Sequence, residues 1–299
     1  MDEVVITGAG GFVGKSLAPF LEKMGFKVLR LSLRNSDWKK KVPRDAFAII
    51  HLAGLAHDLK NTNQPEEYYR INTDLTCELF DFFLGSNAAK FIFLSSVKAA
   101  ADVLGSNILI EDHAPHPATP YGKSKLKAEQ HILSKHAGNK GVYILRPSMI
   151  HGPGNKGNLN QLYKLVSSGI PYPFASFENS RSFLSIDNLN FIINGLCSRD
   201  IPSGVYNISD SEYLSTMEVV DVINATLGKK SKSLHFNKAL IRQIAKIGNA
   251  LHLPFNEEKL NKLTESYMVS NQKLLRAIDR ELPVSAKEGM ILTFKSFSV

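Results

Sequence analysis

Cysteine is scarce: Cys77 and Cys197 are the only two in 299 residues, and neither stands at metal-binding or redox spacing. Two isolated thiols exclude a disulfide-stapled scaffold and fit a reducing compartment. No apolar run is long enough to span a bilayer, and no leader precedes the first strand-like run, so a cytoplasmic location is expected. Internal repeats and low-complexity linkers are missing as well. His113 and His116 lie in a proline-bearing loop, 111–120, with no carboxylate or further ligand at helical spacing, so no metal site is expected. The net charge of +8 raises the question of nucleic acid. Lysines are scattered, as at 39–41 and 229–232, and aromatic residues do not alternate with them as a stacking platform requires. Nucleic-acid binding is therefore not expected, and a basic surface suits small anions equally well.

What is present is an ordinary globular composition, 43% hydrophobic and 21% charged, in a chain long enough for one large domain or two modest ones. The stretch that organises it is DEVVITGAGGFVG, residues 2–14. Val4, Val5 and Ile6 form a β-branched run suited to a buried strand, and Phe12–Lys23 reads as a helix. Between them Gly8 permits a tight turn, Gly11 lets a pyrophosphate approach the backbone, and Gly14 lets the helix pack close to the strand. The spacing is GxxGxxG rather than GxGxxG, but strand before and helix after point to a dinucleotide site.

Strand patterns recur at 26–33, 47–52, 91–95 and 141–146, with helical stretches at 65–84 and 124–136. This βαβ alternation predicts a parallel sheet with helices on both faces, its ligand edge gathering Gly8, Ala53 and Ser96. After Pro147 the pattern changes: Gly152-Pro153-Gly154 opens a loop, order resumes at 181–189, and helices are expected at 190–197 and 216–227. The predicted division is a dinucleotide-binding unit over 1–150, with 181–200 returning to it, and a smaller unit from 151–180 and 201–299. Residues 238–251 form a basic amphipathic helix with Leu240, Ile241, Ile244, Ile247 and Leu251 on one stripe. A core-facing helix is the expected reading, ahead of one lying on a membrane surface.

Tyr121 and Lys125, in YGKSK, stand four residues apart on one helix face. An ammonium beside a phenol favours the phenolate and lowers its pKa toward working pH, as proton transfer requires. Ser95-Ser96 ends an apolar strand at the ligand edge, where a hydroxyl can hold a substrate oxygen; alone, such a pair also reads as a turn or helix cap.

In order along the chain, TGAGGFVG (7–14), HLAG (51–54), Asn72 in INTDLT, FIFLSSVKA (91–99), YGKSK, LRPSMIHGPG (145–154) and RSFLSIDNL (181–189) resemble the extended short-chain dehydrogenase/reductases, in their nucleotide-sugar epimerase/dehydratase branch. The resemblance covers nearly the whole chain. It implies an α/β fold, a Rossmann-type doubly wound parallel sheet with a smaller mixed α/β substrate-binding domain. It implies Ser96, Tyr121 and Lys125 as the catalytic set, with hydride passing between nicotinamide and sugar while Tyr121 gives or takes the proton. Cofactor contacts are expected from Gly8, Gly11, Phe12, Val13, Gly14, Leu52, Ala53, Gly54, Asn72, Tyr121, Lys125, Pro147 and Ser148. Substrate contacts are expected from His57, Lys98, Asn158 and Arg181, the arginine at a UDP-sugar diphosphate; for His57 a plain surface loop is an equal reading. A homodimer is also implied; Leu75, Leu79 and Phe83 fit its seam and intramolecular packing alike.

Cofactor choice turns on the end of the second strand, where NAD-preferring members carry an acid. Here Ser32 and Arg34 stand there, which favours NADP(H), with NAD as the alternative. The stretch 36–47 is short for the family's third strand. Met149 and His151 replace residues common in the UDP-glucose 4-epimerases, and Val97-Lys98 stand where dehydratases carry Asp-Glu. SSVKA (95–99) and GPGNKGN (152–158) most resemble a polysaccharide-biosynthesis subgroup of the family, and this resemblance implies NADP(H)-dependent reduction of a UDP-4-keto-6-deoxy-N-acetylhexosamine type of sugar. The alternatives are an NAD-dependent 4-epimerase and, outside enzymes, a non-catalytic dinucleotide-sensing module.

Overall fold

Eleven strands occur in chain order: β1 (Glu3–Thr7), β2 (Lys27–Leu31), β3 (Ala48–His51), β4 (Lys90–Leu94), β5 (Ile108–Leu109), β6 (Gly141–Pro147), β7 (Met149–His151), β8 (Arg181–Ser185), β9 (Gly204–Ile208), β10 (Tyr213–Leu214) and β11 (Met268–Val269). They are seen in a computed structural model that describes residues 1–56, 64–105, 107–251 and 255–297. Six of them form one parallel sheet in the order β2-β1-β3-β4-β6-β9. Side chains alternate between its faces. Val4, Ile6, Ile50 and Ile92 join the core beneath helices Phe12–Lys23 and Ile186–Ser198. Val5, Ile49, Phe91 and Phe93 join the core beneath Leu75–Leu84 and Pro120–Leu133. Both faces are covered, so the strands read as continuous apolar runs. Leu79 and Phe83 are buried in this second core, which is the intramolecular of the two packings their helix allowed.

The sheet stops at β2. Between Leu31 and Ala48 the chain makes only the short helix Trp38–Lys41, and Trp38 is buried there with Leu33, Val42 and Ala46. The third strand missing from the sequence pattern is missing from the sheet. On the opposite side, β9 pairs in parallel with β6, so 204–208, read with the smaller unit, extends the central sheet. The helix carrying Tyr121 starts at Pro120, earlier than the pattern suggested, because Thr119 caps it: its Oγ1 accepts from the Gly122 amide at 3.2 Å. The 65–84 helix is interrupted by a π-turn over Tyr69–Asp74, which contains Asn72.

A second core lies above the ligand edge. Leu162 and Val166 of Asn158–Ser167, Val219 and Ile223 of Thr216–Thr226, and Met290 and Phe294 of Ala286–Lys295 meet there. Helix Lys238–Ala250 corrects the sequence reading of its apolar stripe. Ile241, Ala245 and Gly248 face inward, and Gly248 approaches the Phe255 carbonyl so closely that no side chain would fit. Leu240, Ile244, Ile247 and Leu251 face outward and are 49–64% exposed. At 100° per residue Ile241 stands apart from the other four, and only its side is covered.

Candidate active site

Strand order reverses at β1, flanked by β2 and β3, and such a switch point opens a crevice beyond the strand ends. The glycine turn fills it. Gly8 has φ +70°, and a Cβ there would lie 2.6 Å from the Ala53 nitrogen. A Cβ at Gly14 would lie 2.5 Å from the Ala9 Cα, so β1 and its helix touch through backbone. Gly11 is the helix N-cap; no side chain caps this end and its first turn has no acid. The amides of Phe12, Val13 and Gly14 thus face outward without intrahelical acceptors, at the positive end of the helix dipole. Beyond Gly10 nothing lies within 4 Å of a hypothetical Cβ. This open, donor-lined cradle fits a pyrophosphate.

Leu52, Ala53 and Gly54 leave β3 along the same edge. A Cβ on Gly54 would lie 3.1 Å from both Asn72 Oδ1 and Lys125 Nζ, so the glycine keeps those groups within reach of the crevice. Asn72 is held by Leu55, whose amide donates to Oδ1 at 2.7 Å and whose carbonyl accepts from Nδ2 at 3.0 Å. Behind it lies a residue outside the expected site, His51. The Thr76 hydroxyl donates to the Asn72 carbonyl at 2.7 Å, so it accepts from His51 Nε2 at 2.9 Å. His51 Nδ1 then accepts from the Thr7 hydroxyl at 2.7 Å. Burial, with the Lys125 charge nearby, pulls the imidazole down to about 3, and it stays neutral.

Ser96, Tyr121 and Lys125 converge where β4 ends. Ser96 caps the short helical turn Val97–Ala99, accepting from the Lys98 amide at 3.2 Å, and lies near enough to Tyr121 for its hydroxyl to favour the phenolate. The cap and the proposed site are the same serine. Lys125 Nζ donates to the Leu94 carbonyl at 2.9 Å and lies 4.7 Å from the centre of the Phe93 ring. Burial lowers the ammonium to about 8, against a raising effect of Glu129. The expected lowering of Tyr121 is reversed: burial pushes its phenol up, and Ser96 offsets this only in part. The physical reason is the burial of the phenol, to which the neighbouring Tyr68 adds, while Lys125 Nζ is engaged by the Leu94 carbonyl.

One turn beyond Lys125, Glu129 is fully buried and grips Arg146 through contacts of 3.1, 3.1 and 2.6 Å. Ser95 donates to the same carboxylate. Neither charge announces itself in sequence, since Glu129 sits in a polar helix and Arg146 ends a strand.

The residues expected to hold substrate are partly brought together. Lys98 Nζ lies 4.3 Å from the centre of the Tyr267 ring and donates to the Asp102 carbonyl at 2.7 Å. Arg181, on β8, bridges to Tyr267 through backbone; burial lowers its guanidinium, against Glu265. Tyr267 in turn donates to the Ala101 carbonyl at 2.6 Å, tying this corner to the segment after Ser96. Tyr267 and Glu265 carried no motif in the sequence. Asn158 is exposed at the start of its helix, His57 lies outside the described residues, and the rings of His113 and His116 lie 6.3 Å apart, tilted by 37°, in their loop. Ser32 and Arg34 are exposed just past β2, the Arg34 amide donating to Ser32 Oγ at 3.4 Å. Pro147 is buried, and Ser148 keeps a buried hydroxyl without a partner among the described residues.

A phosphate cradle at a sheet switch point beside a neighbouring serine and tyrosine, with a lysine one turn on, defines an NAD(P)-dependent oxidoreductase of the short-chain type. The chain belongs to the NAD dependent epimerase/dehydratase family, whose profile matches residues 4–208. It is 31% identical over 257 residues to a UDP-glucose 4-epimerase of Vibrio cholerae, covering 77% of each chain. It is 29% identical over 163 residues to a UDP-2-acetamido-2,6-beta-L-arabino-hexul-4-ose reductase of Pseudomonas aeruginosa, covering 53% of this chain and 38% of that one. The structure of RMD from Pseudomonas aeruginosa complexed with NADPH superposes with a TM-score of 0.76 at 20% identity over all of both chains. The protein is an enzyme of the nucleotide-sugar epimerase and reductase class.

Proposed function

We propose that the enzyme reduces a 4-ketosugar carried on UDP, using NADP(H), in polysaccharide biosynthesis. The observation that carries this reading is the placing of Ser96 beside Tyr121 at the end of β4, with Lys125 one turn behind it. When bound, the nicotinamide supplies the hydride. Tyr121 gives its proton to the sugar oxygen as that oxygen gains charge, and Ser96 holds the same oxygen in line. Lys125, whose ammonium faces Gly54, binds ribose hydroxyls and stabilises the phenolate left behind. The Gly8–Gly14 turn holds the pyrophosphate, Leu52–Gly54, Asn72, Pro147 and Ser148 line the path to the nicotinamide, and Lys98, Asn158 and Arg181 hold the substrate diphosphate.

Two further observations support the reductase form. Val97 and Lys98 follow the catalytic serine, so no carboxylate pair stands there to eliminate water. The crevice end of β2 offers exposed Ser32 and Arg34, which attract a 2′-phosphate that an acid would repel. A second reading, a 4-epimerase that keeps NAD through each turnover, is favoured by the Vibrio cholerae relative. Denaturing freshly purified protein and identifying the released dinucleotide separates them. The reductase is expected to be empty and to bind NADPH more tightly than NADH; near-stoichiometric NAD would favour the epimerase.

A further inference from the structure

Helix Lys238–Ala250 lies on the surface with an outer arc that none of the described residues covers. Leu240, Ile244, Ile247 and Leu251 are about half exposed or more, Ala239 and Ala250 extend the arc, and Gln243 is its only polar member. The approach to the helix exposes Leu234 and Phe236 as well. Of the chain's large exposed apolar side chains, these six in eighteen residues form the densest group. Charge follows the same stretch. Residues 222–256 hold six lysines and arginines and no aspartate or glutamate, supplying +6 of the net +8. Lys238, Arg242 and Lys246 recur every fourth residue and so run along one border of the apolar arc.

We propose that this helix docks the enzyme, lying flat, on an anionic lipid bilayer. A long apolar arc bordered by cations is the arrangement that buries side chains at the acyl boundary while lysine and arginine meet phosphate headgroups. A second copy of the chain is a poorer occupant, because a two-fold contact through this face would bring the three cations of one helix, Lys238, Arg242 and Lys246, toward the same three of the other. The nearest acids in sequence, Glu257 and Glu258, begin the next helix, and Glu257 is bonded to Asn249, an exposed residue on the side of the helix opposite the apolar arc. That next helix, Glu257–Thr264, leads to Glu265 and Tyr267 beside Arg181, so a docked enzyme would hold its substrate corner near the headgroup layer. The proposal does not depend on which sugar is turned over.

The test is co-sedimentation of the full chain with vesicles of phosphatidylglycerol and phosphatidylcholine, and of phosphatidylcholine alone. Binding to the mixed vesicles, weakened by salt and by roughly tenfold or more in an Ile244→Glu, Ile247→Glu double variant, is expected. An unchanged melting temperature for that variant keeps misfolding from producing the same loss. Absence of binding at low salt overturns the proposal, as does equal binding to phosphatidylcholine alone. A dimer that the same two substitutions dissociate, with no vesicle binding, would assign the face to a second copy.

Discussion

Gly122 faces the backbone of Lys98 so closely that a methyl group in place of its hydrogen would collide with the Lys98 carbonyl oxygen and lie 2.9 Å from the Pro117 ring. This contact seats the helix bearing Tyr121 against the turn that follows Ser96. Thr119 and Asp102 reinforce it, the Asp102 carboxylate accepting from the amides of Ala118 at 2.6 Å and Thr119 at 3.0 Å. Gly122→Ala is expected to part the two elements, lowering kcat about 100-fold, with a smaller loss of dinucleotide affinity because the glycine turn at the other end of the crevice is untouched. Steady-state kinetics alongside a cofactor titration would check this.

Tyr121→Phe removes the proposed proton donor and leaves the ring edge against Tyr68, 6.2 Å centre to centre. Turnover of a UDP-4-ketosugar is expected to fall by about 10²–10⁴-fold, with dinucleotide binding retained. Unaltered turnover would sink the reductase and the epimerase together.

The Glu129–Arg146 pair gives a stability prediction. Both groups are buried, and removing one charge strands the other. Glu129→Gln is expected to cost about 3–5 kcal/mol, read from the urea unfolding midpoint. A loss within about 0.5 kcal/mol would mean that water reaches Arg146 in solution.

His51 supplies an acid-side prediction whose sign follows from its depressed pKa. Below about pH 6.5 the unfolded chain takes up a proton that the folded imidazole refuses, so stability falls as pH drops toward 3, by up to about 1.4 kcal/mol per unit. In His51→Gln that slope should be absent. The comparison is cleanest between pH 6.5 and 5, above the range of most carboxylates.

Lys125 sets the alkaline limb. Its ammonium, lowered to about 8 by burial, is lost well before Tyr121, whose phenol is pushed up. The pH profile of kcat/KM is expected to fall on the alkaline side with an inflection near 8. The same inflection in Lys125→Arg would assign it to another group.

The layout of the crevice was legible because local pattern dictates it. The β-branched run before Gly8, the Tyr121–Lys125 spacing and the apolar runs of β3 and β4 each declare themselves within a few residues. What stayed hidden depends on partners far along the chain. Glu129 meets Arg146 and His51 meets Thr7 and Thr76 only once the sheet is assembled, and β5 pairs with β11 across some 160 residues. Helix Lys238–Ala250 was misread for the same reason: its periodicity shows that a stripe exists but not whether the protein covers it. The Tyr121 shift was missed because spacing brings Lys125 to the same face without saying where its ammonium points.

The missing third strand has a consequence for how this enzyme could change. The outer edge of β2 carries Lys27 and Arg30, paired with Glu3 and Glu22, and ends in open solvent beside Ser32. A strand and helix inserted between Asn35 and Val42 would extend the sheet without parting any existing strand pair, although the packing of Trp38 would have to be replaced. They would add a wall only on the adenosine side of the crevice, leaving the Tyr121 side untouched. On the proposed assignment, coenzyme preference and sugar chemistry can therefore drift separately, because one would be written at an open margin of the fold and the other at its centre.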